Sequence, residues 1–217
     1  MSIKELTKRY LLFVVSLFVA GLGVAVTKSG QLGVSPISSV PNVISIKFTV
    51  LTMGNWLIIW NCLLLVGQIL LLRKDFKWIN LLQVPLSFLF GYFTDFGMWI
   101  MSHVTAVNYA GQLIMVVCGT VILGLGVSLA FIANVIMNSG EAFVKAIADK
   151  TKKQPGDVKI VFDISCVVLS ILISLILFVG KIEGAREGTL FAAVFTGIMV
   201  KVFNKRLAKP LNKILSK

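Results

Sequence analysis

Few side chains in this sequence are equipped for chemistry, and they are scattered through apolar runs. Among 217 residues there are nine carboxylates, one histidine and three cysteines. His103 stands alone in a segment that reads as a loop. Cys62, Cys118 and Cys166 lie inside apolar stretches, without metal-ligand spacing, and read as small buried hydrophobes. No glycine loop of the phosphate-cradling type is present, and no nucleophile has a base beside it. The chain is therefore not expected to be an enzyme, to bind a metal or to need a cofactor. Any transport it performs must be gradient-driven, facilitative, or dependent on a separate ATPase.

Asp163 is the sharpest single residue. It falls about two turns into a long apolar run, some 10 Å along a helix from Gly156. An ionisable group at that depth is costly in lipid and turns to the bundle interior. Lys159, four residues earlier, shares its helix face and can neutralise it. The alternatives are a proton-coupling carboxylate or a packing ion pair. Asp95, beside Thr94, is a second carboxylate within an apolar run, either functional or reaching interfacial water. Arg186 and Glu187 open the last apolar run, where pairing with each other, or of Arg186 with Glu183, competes with solute contact.

Neutral polar residues add to this set. Ser139 reads as the N-cap of a helix over 141–150. With Gly140 it would present free amide hydrogens and a positive dipole end to an anion. The competing reading lays that helix on the lipid headgroups, with Ala142, Phe143, Ala146 and Ile147 in lipid. Ser35, Ser39 and Asn42 form a matching helix-breaking element around Pro36, which suits a first helical turn, or else a tight loop. Trp60 beside Asn61, and Thr189 at the start of the last run, complete the candidate solute contacts.

The elements that must hold these residues are membrane spans. The chain is 57% hydrophobic and only 14% charged, with mean hydropathy +0.94, whereas soluble domains are about 25% charged. Six runs are long enough to cross a bilayer: 10–27, 56–72, 78–101, 113–136, 158–179 and 190–203, the last beginning nearer Glu187. The first follows Lys4, Lys8 and Arg9 like a signal peptide, yet is long for one and is read as a retained span. Two segments, 29–54 and 138–156, are too polar or too interrupted to span and read as re-entrant or interfacial helices.

Lys/Arg placement sets an orientation. With the N-terminus in the cytoplasm and neither irregular segment crossing, seventeen of the 21 basic residues fall on the cytoplasmic side. The net charge of +12 is then a topology signal, and no nucleic-acid partner is expected. Both termini are cytoplasmic in this arrangement.

The two halves echo each other. Gly21-Leu22-Gly23-Val24 recurs as Gly124-Leu125-Gly126-Val127, Gly54 pairs with Gly156, Asn61 with Asp163, Gln83 with Thr189, and Gly91 with Gly197. The offsets are 103, 102, 102, 106 and 106 residues. Three spans per half make the second half inverted. The expected division is residues 1–103, then 112–205, then a basic cytoplasmic tail over 206–217. Inverted repeats with interrupted helices place a solute site near the midplane in many secondary transporters.

The stretches Asn138–Ser165 and Gly180–Phe203, with Gly21–Val24 and Gln31–Pro36, resemble the YczE/YyaS/YitT family of bacterial membrane proteins. The likeness covers nearly the whole chain. Its markers are Ser139-Gly140-Glu141, the Lys159 and Asp163 pair, and Arg186-Glu187-Gly188-Thr189. Relatives often carry Trp-Asp where this chain has Ile37-Ser38, so the carry-over stops short of the first irregular segment. The resemblance implies a multi-pass inner-membrane protein of bacteria, of the kind regarded as a transporter, with a B6 vitamer among the solutes it suggests.

The sequence thus supports an all-α membrane protein acting as a permease of a small polar or anionic solute. The alternative is a non-transport protein that assists or regulates another complex, its polar groups serving as packing glue. A laterally open, lipid-handling enzyme is a third reading. The oligomeric state is left open.

Overall fold

The computed structural model describes residues 3–104, 106 and 108–216. Eight α-helices follow in order: α1 (Ile3–Ser29), α2 (Pro36–Lys47), α3 (Met53–Leu72), α4 (Gln83–Met101), α5 (Tyr109–Ala133), α6 (Ser139–Thr151), α7 (Pro155–Leu177) and α8 (Glu187–Leu215). Two short 3-10 turns, Arg73–Asp75 and Trp78–Leu82, link α3 to α4. No strand occurs among the described residues. The six helices α1, α3, α4, α5, α7 and α8 are long and apolar enough to cross a membrane. They fall on the six expected runs, and both irregular segments contain a short helix. The tail from 206 is no separate piece, because α8 continues through it to Leu215.

Local chemistry explains the breaks. The chain leaves α1 through Gln31 at φ 57° and Gly33 at φ 109°. A Cβ at Gly33 would both strain the backbone and collide with the Thr189 hydroxyl. Pro36 then opens α2, where its missing N–H costs nothing. Asn134, in the left-handed region at φ 49°, ends α5. The cap of α6 is Asn138, whose side chain accepts from the Ser139 N–H at 2.8 Å, and not Ser139 as expected. The helix begins at Ser139, two residues earlier than the sequence reading placed it, so the cap position falls on Asn138.

Glycines let the central pair of helices touch. A Cβ on Gly23 would stand 2.5 Å from the Leu123 nitrogen, one on Gly126 2.6 Å from the Ala20 nitrogen, and one on Gly119 2.6 Å from the Thr27 nitrogen. Positions rising along α1 thus meet positions falling along α5, so the two helices are antiparallel. Phe13, Leu17, Val24, Leu57, Phe90 and Leu123 fill the core around them. Outside this pair, α4 lies on α1 and α8 on α5. Gly21 faces the Phe93 Cβ and Gly124 the Met199 Cβ, at 3.2 and 2.6 Å from an added Cβ. Arg9 donates at 3.2 Å to the Ile132 and Ala133 carbonyls, satisfying the bare C-terminus of α5.

Both short helices are packed inside the bundle: α2 against α3 and α7, α6 against α3 and α7. The headgroup reading of α6 is therefore corrected, since Ser139, Gly140, Val144, Ala146 and Ala148 are buried. The two N-termini meet. A Cβ on Gly140 would lie 2.9 Å from the Ile37 side chain.

Candidate functional site

A cavity of about 1200 Å³ opens at the end of the bundle that carries the N- and C-termini. Asp75, Lys77, Asp149, Lys150, Asp157 and Lys201 line its mouth. It penetrates to Ser35, Pro36, Ile37 and Ser38 at the start of α2, and to Trp60 and Asn61 on α3. Asn138 and Glu141, at the start of α6, line it too. The inner end thus lies between two helix N-termini: that of α6 is capped by Asn138 and carries Glu141 in its first turn, whereas the uncapped amide hydrogens and positive dipole end of α2 favour negative charge.

Asn61 is only 2% exposed and lines this cavity. Its side chain has no hydrogen-bond partner among the described residues. An amide placed this way is available to water or a solute in the cavity. Trp60 Nε1 and Thr196 Oγ1 are fully buried and unpaired, on residues that border the same space. No acidic residue stands in the first turn of α2, so its positive end is uncompensated from within that helix.

The second half contributes charge. Lys159 Nζ lies 2.8 Å from Asp163 Oδ1 and 3.3 Å from Glu141 Oε1. The expected pair is therefore a triad that joins α6 to α7, with two carboxylates to one ammonium. Lys159, Glu141 and Asp163 all line the cavity. Ser39 Oγ donates to the Pro36 carbonyl at 2.6 Å and approaches the Cys166 carbonyl at 3.4 Å. That contact sets α2 beside α7 one turn past Asp163, so Asp163 stands close to the level where α2 begins.

Other candidates serve elsewhere. Asp95 accepts from the Thr52 hydroxyl at 2.6 Å and from the Gly54 N–H at 2.7 Å. It caps α3 at the end opposite the cavity mouth. Asn42 donates to the Gly184 carbonyl at 2.7 Å, and Thr189 packs against Gly33, both also at that end. Arg186 and Glu187 form an exposed pair at 3.2 Å. Ser139 and Gly140 are buried beside the inner end of the cavity, where the Ser139 carbonyl accepts from Gln68 at 3.1 Å. Gln68 and Gln83 exchange amide hydrogen bonds of 3.0 and 3.3 Å. The sequence reading missed Gln68 and the role of Glu141, although a glutamine within an apolar run was a visible signal.

Six apolar spans around a cavity lined by both polar and apolar residues define a multi-pass helical membrane protein. The chain belongs to the family described as "Family of unknown function (DUF6198)", matched over residues 7–205. It is similar to the "Uncharacterized protein YyaS" of Bacillus subtilis (strain 168), with 24% identity over 196 residues, 90% of this chain and 92% of that one. No solved structure matches it.

Proposed function

We propose that the protein is a transporter of a small polar or anionic solute, built from two inverted halves and seen with its cavity open to the cytoplasm. The observation that carries this reading is the buried, unpartnered Asn61 in a cavity that ends where α2 and α6 begin. Interrupted helices whose N-termini converge inside a bundle offer charge recognition without a buried cation of their own. The solute replaces water at the Ile37 and Ser38 amides and at Asn61.

Paired contacts support the inverted halves. The Gly23 and Leu123 contact has its counterpart in Gly126 and Ala20, and that of Gly21 and Phe93 in Gly124 and Met199. Each partner is displaced by the same 103 or 106 residues read from the sequence. Such reciprocal contacts are what a two-fold relation generates. The Lys/Arg bias supports placing the cavity mouth in the cytoplasm of a bacterial inner membrane.

The test is a depletion assay. Liposomes containing the purified protein are loaded with a polar metabolite extract, and their lumen is assayed by mass spectrometry over time. Selective loss of one chemical class, absent from protein-free liposomes, supports transport. Identical losses from both would leave the assembly or regulatory reading standing.

A further inference from the structure

We infer that Asp157 on α7 and Lys201 on α8 form the ion pair that closes the cavity mouth when the cavity turns to the opposite face, a proposal that rests on the transport reading. The argument comes from where the two halves differ. At the closed end, α3 and α4 are packed together. A Cβ on Gly54 would collide with the Gly91 carbonyl, and Asp95 on α4 holds the N-terminus of α3. The counterparts at the mouth are α7 and α8, which share no packed interface among the described residues. Gly197, the counterpart of Gly91, has no described atom within 4 Å of an added Cβ. One half is shut where the other gapes.

In an inverted repeat the two halves exchange conformations as access alternates. The closing of α7 on α8 would then reproduce the closing of α3 on α4, with Gly197 as the contact that lets the backbones approach. Position 201 is the counterpart of Asp95, at the same offset of 106 that relates Gly91 to Gly197. It is lysine here, and the carboxylate has moved to the first turn of α7 as Asp157. The charges of this latch are redistributed, with the cation on α8 facing the acid on α7. Both side chains line the mouth, and no salt bridge joins them in this open state.

The test uses the full chain with Cys62, Cys118 and Cys166 replaced by alanine and Ala193→Cys as reporter, because Ala193 lines the cavity. An impermeant charged methanethiosulfonate is applied to right-side-out and to inside-out membrane vesicles. Asp157→Lys should raise the ratio of cytoplasmic-face to opposite-face labelling by about tenfold, the scale of one lost pair interaction. Adding Lys201→Asp should return the ratio to its parent value. A ratio that ignores the single reversal, or that the double reversal does not restore, overturns the latch. As a second measurement, Asp157→Cys with Lys201→Cys should be bridged by a short bis-methanethiosulfonate in the folded, monodisperse protein, and failure to bridge also overturns it. If labelling follows the charges but no solute leaves the liposomes, the moving mouth stands and the solute reading falls. If solute moves and labelling ignores the charges, the latch alone is wrong.

Discussion

The Lys159 ammonium on α7 reaches Glu141 Oε1 on α6 at 3.3 Å while holding Asp163 on its own helix at 2.8 Å. One cation therefore ties the short helix α6 to the span that flanks it. Replacing Lys159 with Met leaves two carboxylates facing each other. That change should destabilise the protein by about 1–3 kcal/mol and lower its melting temperature in detergent. Asp163→Asn keeps Lys159 paired with Glu141 and should melt close to the parent. Equal melting temperatures for all three proteins would show that the triad carries no structural weight.

The same geometry changes how a paired substitution must be designed. Lys159→Met with Asp163→Leu removes the helix pair but strands Glu141, so Glu141→Gln must be added. If Asp163 only packs, that triple variant should keep solute release from loaded liposomes. If Asp163 carries a coupling proton, release driven by a pH gradient should vanish in the triple variant and in Asp163→Asn alike.

Gln68 and Gln83 offer a cleaner stability test, because both are buried and bonded to each other. Gln68→Leu leaves the Gln83 amide unpaired, at a cost of about 1–3 kcal/mol, while the Ser139 carbonyl keeps its bond within α6. Changing Gln83 to Leu as well removes that orphan, so the double variant should melt above the Gln68→Leu single variant. A double variant that melts as low as the sum of the two singles would contradict the pairing.

Topology is checked independently of any solute. In the cysteine-free background, Asn108→Cys should react with an impermeant thiol reagent on intact cells, and Asp75→Cys should not. Labelling at Asp75 would place the cavity mouth outside and invert the transport scheme.

Much of the fold was legible because lipid imposes a length and an apolarity on each span. The two short helices were legible only as interruptions: Pro36 and Asn138 mark where they start, but nothing local says that α6 is buried. Its Lys145 and Asp149 argued for a surface position, and they line the mouth of the cavity instead. Asn61 and Asp163 stood out because polar groups deep in apolar runs are costly. Asp95 stood out for the same reason, yet it caps α3, since sequence depth does not distinguish a cavity from a helix terminus. Asn42 and Thr189 drew attention through local polarity, and folding carried them to the far end. Glu141 joins Asp163 through contact between helices, which spacing along the chain does not encode.

The most direct test is a crystal structure of the protein purified from its own membranes and soaked in the solute class identified by the depletion assay. The central claim is that a solute binds where α2 and α6 begin. A compact non-protein feature within hydrogen-bond reach of Asn61 and the Ile37 and Ser38 amides is the predicted result. An acyl chain filling the cavity past Asn61, with those amides bonded only to protein, would contradict it.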